Sequence, residues 1–160
     1  MGKVLHNFQN GYPGAVSRSA DNVIISLRNA SGGEVAFGSA LFHVSGERAC
    51  RSFNASTSTP ESFVGFAVRA ADKTPETYGS NQAVFKANEP VDVLVRGSTV
   101  LSFESSATPG ASVYIRKADG KFVTSAGSEG TTILLPGVTV ISARDSSRCA
   151  EVVITERNLM

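Results

Sequence analysis

His6, His43, Cys50 and Cys149 are the side chains of this 160-residue chain best suited to metal ligation or nucleophilic work, and their spacing suits neither. They form no cluster at the short intervals that gather zinc ligands. His43 lies in "ALFHV", a strand-like context that reads as a packed or surface histidine, and His6 sits in the polar opening stretch. The acids Asp92, Glu104, Asp119 and Glu151 are scattered, whereas a glycosidase needs two carboxylates facing one cleft. "AGSEG" (residues 126–130) lacks the spacing of a nucleophile elbow and reads as a turn. Phosphate-cradling and dinucleotide fingerprints are missing. Tyr114, Arg116 and Lys117 mix base and aromatic in the manner of single-strand binders, but they form a single cluster with acids balancing them elsewhere. The residues therefore predict no enzyme, no cofactor, no metal and no direct nucleic-acid partner.

Bulk composition narrows the class further. The chain is 41% hydrophobic and 18% charged, with a net charge of +1. Soluble domains average about 25% charged residues, so this surface is sparing in charge. Near-neutral charge gives no electrostatic pull toward nucleic acid or a membrane surface. Arg outnumbers Lys, as it does in protein interfaces. Two cysteines are too few for a disulfide framework and read as reduced thiols. A disulfide within or between chains is the alternative, and it needs an oxidising environment. No run approaches the 18 apolar residues of a membrane span.

The elements that must position these residues are strands. "NVIISLRN" (22–29), "EVAFGSALFHV" (34–44) and "SFVGFAVRA" (62–70) are short β-branched or aromatic runs bounded by turns. In the third, Val64, Phe66 and Val68 make the better core face, against Phe63, Gly65, Ala67 and Arg69. "PVDVLVRGSTVLSFE" (90–104) reads as two strands broken at Gly97, with Asp92 and Arg96 outward on the first. These two form a surface charge pair worth under ~1 kcal/mol, or they meet a neighbouring subunit. "ASVYIRKADGKFVTS" is a hairpin turning at Asp119-Gly120. "TTILLPG", "VTVISAR" and "AEVVITE" complete about ten short strands at the spacing of sandwiches and barrels. The fold expected is an all-β, compact β-barrel or jelly-roll-like sandwich over residues 21–160. An extended N-terminal arm precedes it over residues 1–20. "AADKTPETYGSNQA" (70–83) is the longest loop, of a length that is often functional.

The order of these motifs resembles the structural cement, or decoration, proteins of tailed-phage capsids. The match is carried by "YPGAVSR", "EVAFGSALF", "SFVGFAVRAADKTPETYG", "PVDVLVRGSTVLSF", "TPGASVYIRKADGKFV", "ILLPGVTVISARD" and "AEVVIT", covering about residues 11–155. Each motif is weak alone, and their order and spacing are the specific feature. The resemblance implies a non-enzymatic β-domain on the outer surface of the virion. There it would clamp neighbouring major capsid protein subunits against internal DNA pressure. By family analogy it also implies a homo-oligomer, a dimer at capsid two-fold sites before a trimer.

The residues name candidate contacts for such a partner. Tyr12 is an aromatic anchor, and Pro13 fixes an extended course. Gly11 and Gly14 permit close approach to another backbone. Arg18 can make a charge-assisted bond to a carboxylate, with Arg69 and Arg96 as further cations. Pro75 and Tyr78 are the contacts expected in the long loop. A different reading, a phage-surface module adhering to host glycans, would draw on Tyr12, Tyr78 and Tyr114, since the chain has no Trp.

Overall fold

The computed structural model describes residues 10–70, Lys73 and residues 83–156. It is all-β. The strands are β1 (Val16–Asn29), β2 (Val35–Ala36), β3 (Ala40–His43), β4 (Ala49–Ser52), β5 (Phe63–Ala67), β6 (Val84–Phe85), β7 (Pro90–Ser102), β8 (Ser112–Arg116), β9 (Phe122–Val123), β10 (Thr132–Val140) and β11 (Cys149–Ile154). One 3-10 turn, Pro60–Ser62, leads into β5.

Pairing closes a ring. β1 joins β4, β4 joins β3, β3 joins β5, β5 joins β7, and β7 returns to β1. A second run leaves the ring through β7 and continues β11-β10-β8-β9. β2 and β6 make a separate two-stranded ribbon. The long β7 makes this possible. Its first half, Val91–Arg96, pairs with β1, and Val93 and Leu94 pair with β5 on the other side. Its second half, Gly97–Ser102, pairs with β11. The break expected at Gly97 is therefore a change of partner along one side of a continuous strand, from β5 to β11, while β1 pairs with both halves. Glycine is required there: its φ is +118°, and a Cβ would lie 2.0 Å from Asn22 Oδ1. "TTILLPG" and "VTVISAR" are likewise one strand, β10, with an irregularity between Leu134 and Thr139. β1 begins at Val16, six residues before the expected start, and so runs through the boundary expected near residue 20.

β3 and β5 are walls between two cores. Leu41 and Val64 face one core with Leu27, Val91, Val93 and Val95. Phe42, Phe63 and Phe66 face the other with Leu101, Phe103, Ile115, Leu135 and Val152. This is why all five residues of β5 are buried, where alternation suggested one favoured face. A register shift between Leu41 and Phe42 sets Phe42 opposite Phe63, and Phe63 and Phe66 share a core although three apart. Their rings meet edge-to-face at 5.3 Å, and Phe66 meets Phe122 at 5.8 Å in the same manner. Truncating Phe66 to Ala would cost about 3–5 kcal/mol. Gly65 lies so close to β7 that a Cβ would fall 2.0 Å from the Leu94 carbonyl oxygen.

The Asp119-Gly120 hairpin forms as expected. Tyr114 pairs with Val123 and Ile115 with Phe122, and Gly120 takes φ +70°. Cys50 and Cys149 are both buried free thiols. His43 is half-buried, its Nε2 3.1 Å from the Glu47 carbonyl oxygen. No helix among the described residues is long and apolar enough to cross a membrane.

Candidate functional site: the N-terminal turn and the edge of β1

Tyr12-Pro13-Gly14-Ala15 forms a tight turn, closed by the Ala15 N–H donating to the Tyr12 carbonyl at 2.9 Å. Pro at the second position and Gly at the third, with φ +77°, match a type II turn. The turn is fastened to the ring. Gly14 N–H donates to the Val100 carbonyl at 2.9 Å, and Gly14's carbonyl accepts from Arg69 N–H at 2.9 Å. A Cβ on Gly14 would lie 2.8 Å from Gly38 N. The close approach expected of Gly14 is thus made within the chain, against the loop between β2 and β3. Gly11 is half-buried, with Val100 beside it.

Asn10, which the sequence does not advertise, holds the start of this segment. Its backbone N–H donates to Asp145 Oδ2 at 2.8 Å. Its Nδ2 donates to the carbonyls of Ala143 and Cys149, each at 2.8 Å, and its Oδ1 accepts from Ser142 Oγ at 2.9 Å. Residues 10–17 therefore lie against the body, where the pattern suggested an extended arm. The physical reason is that side-chain amide and glycine backbone replace apolar side chains as the means of attachment.

Tyr12 stays 50% exposed. Arg69 joins it: the guanidinium carbon lies 5.6 Å from the Tyr12 ring centre and 5.4 Å from the Phe37 ring centre. A cation beside two rings is favoured by their quadrupoles, and here the half-buried guanidinium adjoins an exposed aromatic. Two expected contacts 57 positions apart thus come together. Arg96 is exposed elsewhere, across from Val23, and lines a hollow of about 350 Å³ with Asp21, Ser98 and Val153. Arg18 pairs with Ser98 through its backbone in β1. Pro75 and Tyr78 lie outside the described residues.

A larger cleft of about 690 Å³ is bounded by Pro13, Phe37, Phe53, Glu104, Lys121 and Phe122. Its two acids, Glu104 and Asp119, are each paired with a cation. The Lys121 ammonium, hydrogen-bonded 3.0 Å from Glu104, holds that carboxyl below the usual range, and Arg148 at 3.6 Å adds to the effect. Arg116 grips Asp119 and lowers its pKa to about 2. Burial pushes the Cys50 thiol up to about 11, which disfavours the reactive thiolate. Among the described residues no group of three or more His, Cys, Asp and Glu side chains is placed to hold a metal ion. The arrangement offers fixed charge pairs and surfaces for contact.

The sequence also concealed exposed apolar side chains on β1. Val23 is 36% and Ile24 47% exposed. Three β-branched residues in a row, Val23-Ile24-Ile25, cannot all face inward from a strand, and that is the signal the sequence carries.

Comparison with known proteins gives a consistent result. A family model described as structural cement protein (E217 gp24/Pam3 gp6) matches residues 2–155. A solved chain from "The capsid of Myoviridae Phage XM1" is similar in fold, with a TM-score of 0.71 and 15% identity, covering 97% of this chain and 96% of that one. No curated protein matches.

Proposed function

The chain belongs to the phage structural cement protein family, and on that premise we propose that it binds the outer surface of the head and clamps neighbouring major capsid subunits against internal DNA pressure. Membership implies a capsid structural role without catalysis. The observation that carries the finer reading is the Tyr12–Arg69–Phe37 stack. It sets an exposed ring beside a guanidinium where the turn before β1 meets the chain just after β2 and β5, and these are residue types that anchor protein interfaces. The barrel supplies rigidity, and the Asn10 fastening fixes the turn, so little ordering cost remains at binding. Arg18 and Arg96 are further contacts for shell carboxylates, as are Pro75 and Tyr78 for the shell surface. Occupation of two-fold sites would pair two copies on the shell.

Heads assembled without the chain provide the test. Added purified protein should co-sediment with them and raise the temperature at which they release DNA. Unchanged release temperature with saturating bound protein would remove the clamping role, and failure to co-sediment would remove the shell as partner.

A further inference from the structure

We propose that the outward edge of β1, from Val23 to Leu27, accepts one extended strand of the shell protein as an added member of the sheet. The inference rests on the capsid-binding reading and names the surface through which part of that binding occurs. Its first support is backbone parity. The Asp92 carbonyl accepts from Val68 N–H at 2.9 Å, so Asp92 points toward β5. Ser26 is directly opposite Asp92, and Ile24 is opposite Leu94, which pairs with Phe66 of β5. In an antiparallel ladder, opposed residues either face each other or both face away. The backbone N–H and C=O groups of Ile24 and Ser26 therefore point away from β7. Arg28 has the same parity, and its N–H reaches the Arg48 carbonyl beside β4. β4 pairs with β1 only at Arg28 and Asn29, and no other described strand lies along this edge.

The side chains give the second support. Proteins ordinarily guard an open edge with Lys, Pro or a very short strand. This edge belongs to a strand of 14 residues and carries Val23, Ile24, Ile25, Ser26 and Leu27. Val23, Ile24 and Ser26 are exposed. An extended partner would satisfy the backbone groups and cover the apolar side chains together, which is how strand addition divides affinity and specificity.

Length selects the occupant. The open run is short, closed by β4 at Arg28 and by the irregular pairing between Arg18 and Val23 at its start. A stable free pair of proteins uses roughly 20–30 residues a side. Two copies joined through this edge alone would not hold. A shell strand is different, because the Tyr12–Arg69 contact would already tether the chain and raise its effective concentration at the edge.

The test uses Ser26→Pro. Its outward N–H makes no bond in the ring, and proline is tolerated at such edge positions. Within the chain the substitution removes one side-chain hydrogen bond, the exposed one from the Ser26 hydroxyl to Asp92 Oδ1 at 2.9 Å. With heads assembled without the chain, Ser26→Pro and Ile24→Lys should each attach about tenfold or more weakly than the natural sequence. Leu134→Lys, at an exposed apolar position on β10, should attach normally. Equal attachment of Ser26→Pro overturns the edge and leaves the capsid reading intact, whereas failure of the natural sequence to attach overturns both. Conversion of a solution dimer to monomer by Ser26→Pro assigns the edge to a second copy and overturns the shell strand. Should Ser26→Pro not fold, amide exchange on the natural chain decides. The Ile24 and Ser26 amides slow on head binding if the edge is used and are unchanged if it is not.

Discussion

Residues 10–15 and residues 23–27 lie within one run of chain and are bonded in opposite ways. The first segment contains two glycines and a proline and no large aliphatic side chain, yet its amide, N–H and C=O groups are tied to Asp145, Ala143, Cys149, Val100 and Arg69. The second is β-branched and strand-forming, yet leaves the outward backbone of Ile24 and Ser26 without a described partner strand and Ile24 47% exposed. Polar, glycine-rich chain is thus the part completed by folding, and apolar chain is the part left open. Readiness for a partner is better judged from unfilled backbone and exposed apolar area together than from composition.

The largest test of this contrast is Gly14→Ala. The residue sits at φ +77°, and a Cβ there would stand 2.8 Å from both the Gly38 nitrogen and the Phe37 Cβ. Left-handed backbone costs an L-residue about 1–2 kcal/mol, and crowding adds about as much again. Urea denaturation should show a loss of about 3 kcal/mol, with the melting temperature falling by about 10 °C. A loss under about 1 kcal/mol would mean that the segment is lightly held, and the contrast would fail.

Asn10→Ala comes next. It deletes the bonds to Ala143, Cys149 and Ser142 while keeping the backbone bond to Asp145. The sites are partly open, so water replaces some of these bonds. The expected cost is about 1–2 kcal/mol. It should also speed amide exchange at Gly14 and Val100, the next bonds along the segment, and unchanged exchange there would show that the Asn10 contacts do not support the turn.

The two segments also mark what sequence reading reaches. The all-β class, the Asp119-Gly120 hairpin and the cement-protein resemblance follow from local pattern, because turn chemistry and period-two alternation act over a few residues. Val64 can be placed in a core for the same reason. The second core cannot, since Phe63 and Phe66 share it only through a register shift against β3. The partner change at Gly97 depends on Asn22, and the fastening of Asn10 depends on residues 132 to 139 positions away. Arg69 and Tyr12 each stand out in the sequence, but their meeting needs the Gly14–Arg69 backbone bond, which no local rule announces. Exposure of Ile24 requires knowing that β4 stops at Arg28.

Acid sets a third region apart from both segments. Asp119 has its pKa lowered from 3.8 to about 2, first by the hydrogen bond from Arg116, while burial opposes the shift. A depressed carboxylate stabilises the fold above its unfolded pKa and loses that contribution as pH falls through the folded value. The β8–β9 hairpin should therefore weaken between about pH 4 and pH 2. The group is solvent-exposed, so the effect on global stability is small. Asp119→Asn should flatten this part of the pH profile. An identical slope in the variant would assign the acid response elsewhere.

The smallest expected effect on stability is the most telling for the comparison. Ile24→Thr keeps a β-branched side chain, so strand preference is retained. It removes apolar surface that is already 47% exposed, in a position whose backbone bonds point away from the ring. Surface changes of this kind stay within about 0.5 kcal/mol. The isolated chain should accordingly melt within a degree or two of the natural one, while aggregation on concentration should fall because the open edge has become more polar. On heads, the same change should weaken attachment measurably, since the proposed strand would cover this side chain. A destabilised isolated chain would mean that Ile24 is packed against something in the free protein, and the edge would then be closed before any partner arrives.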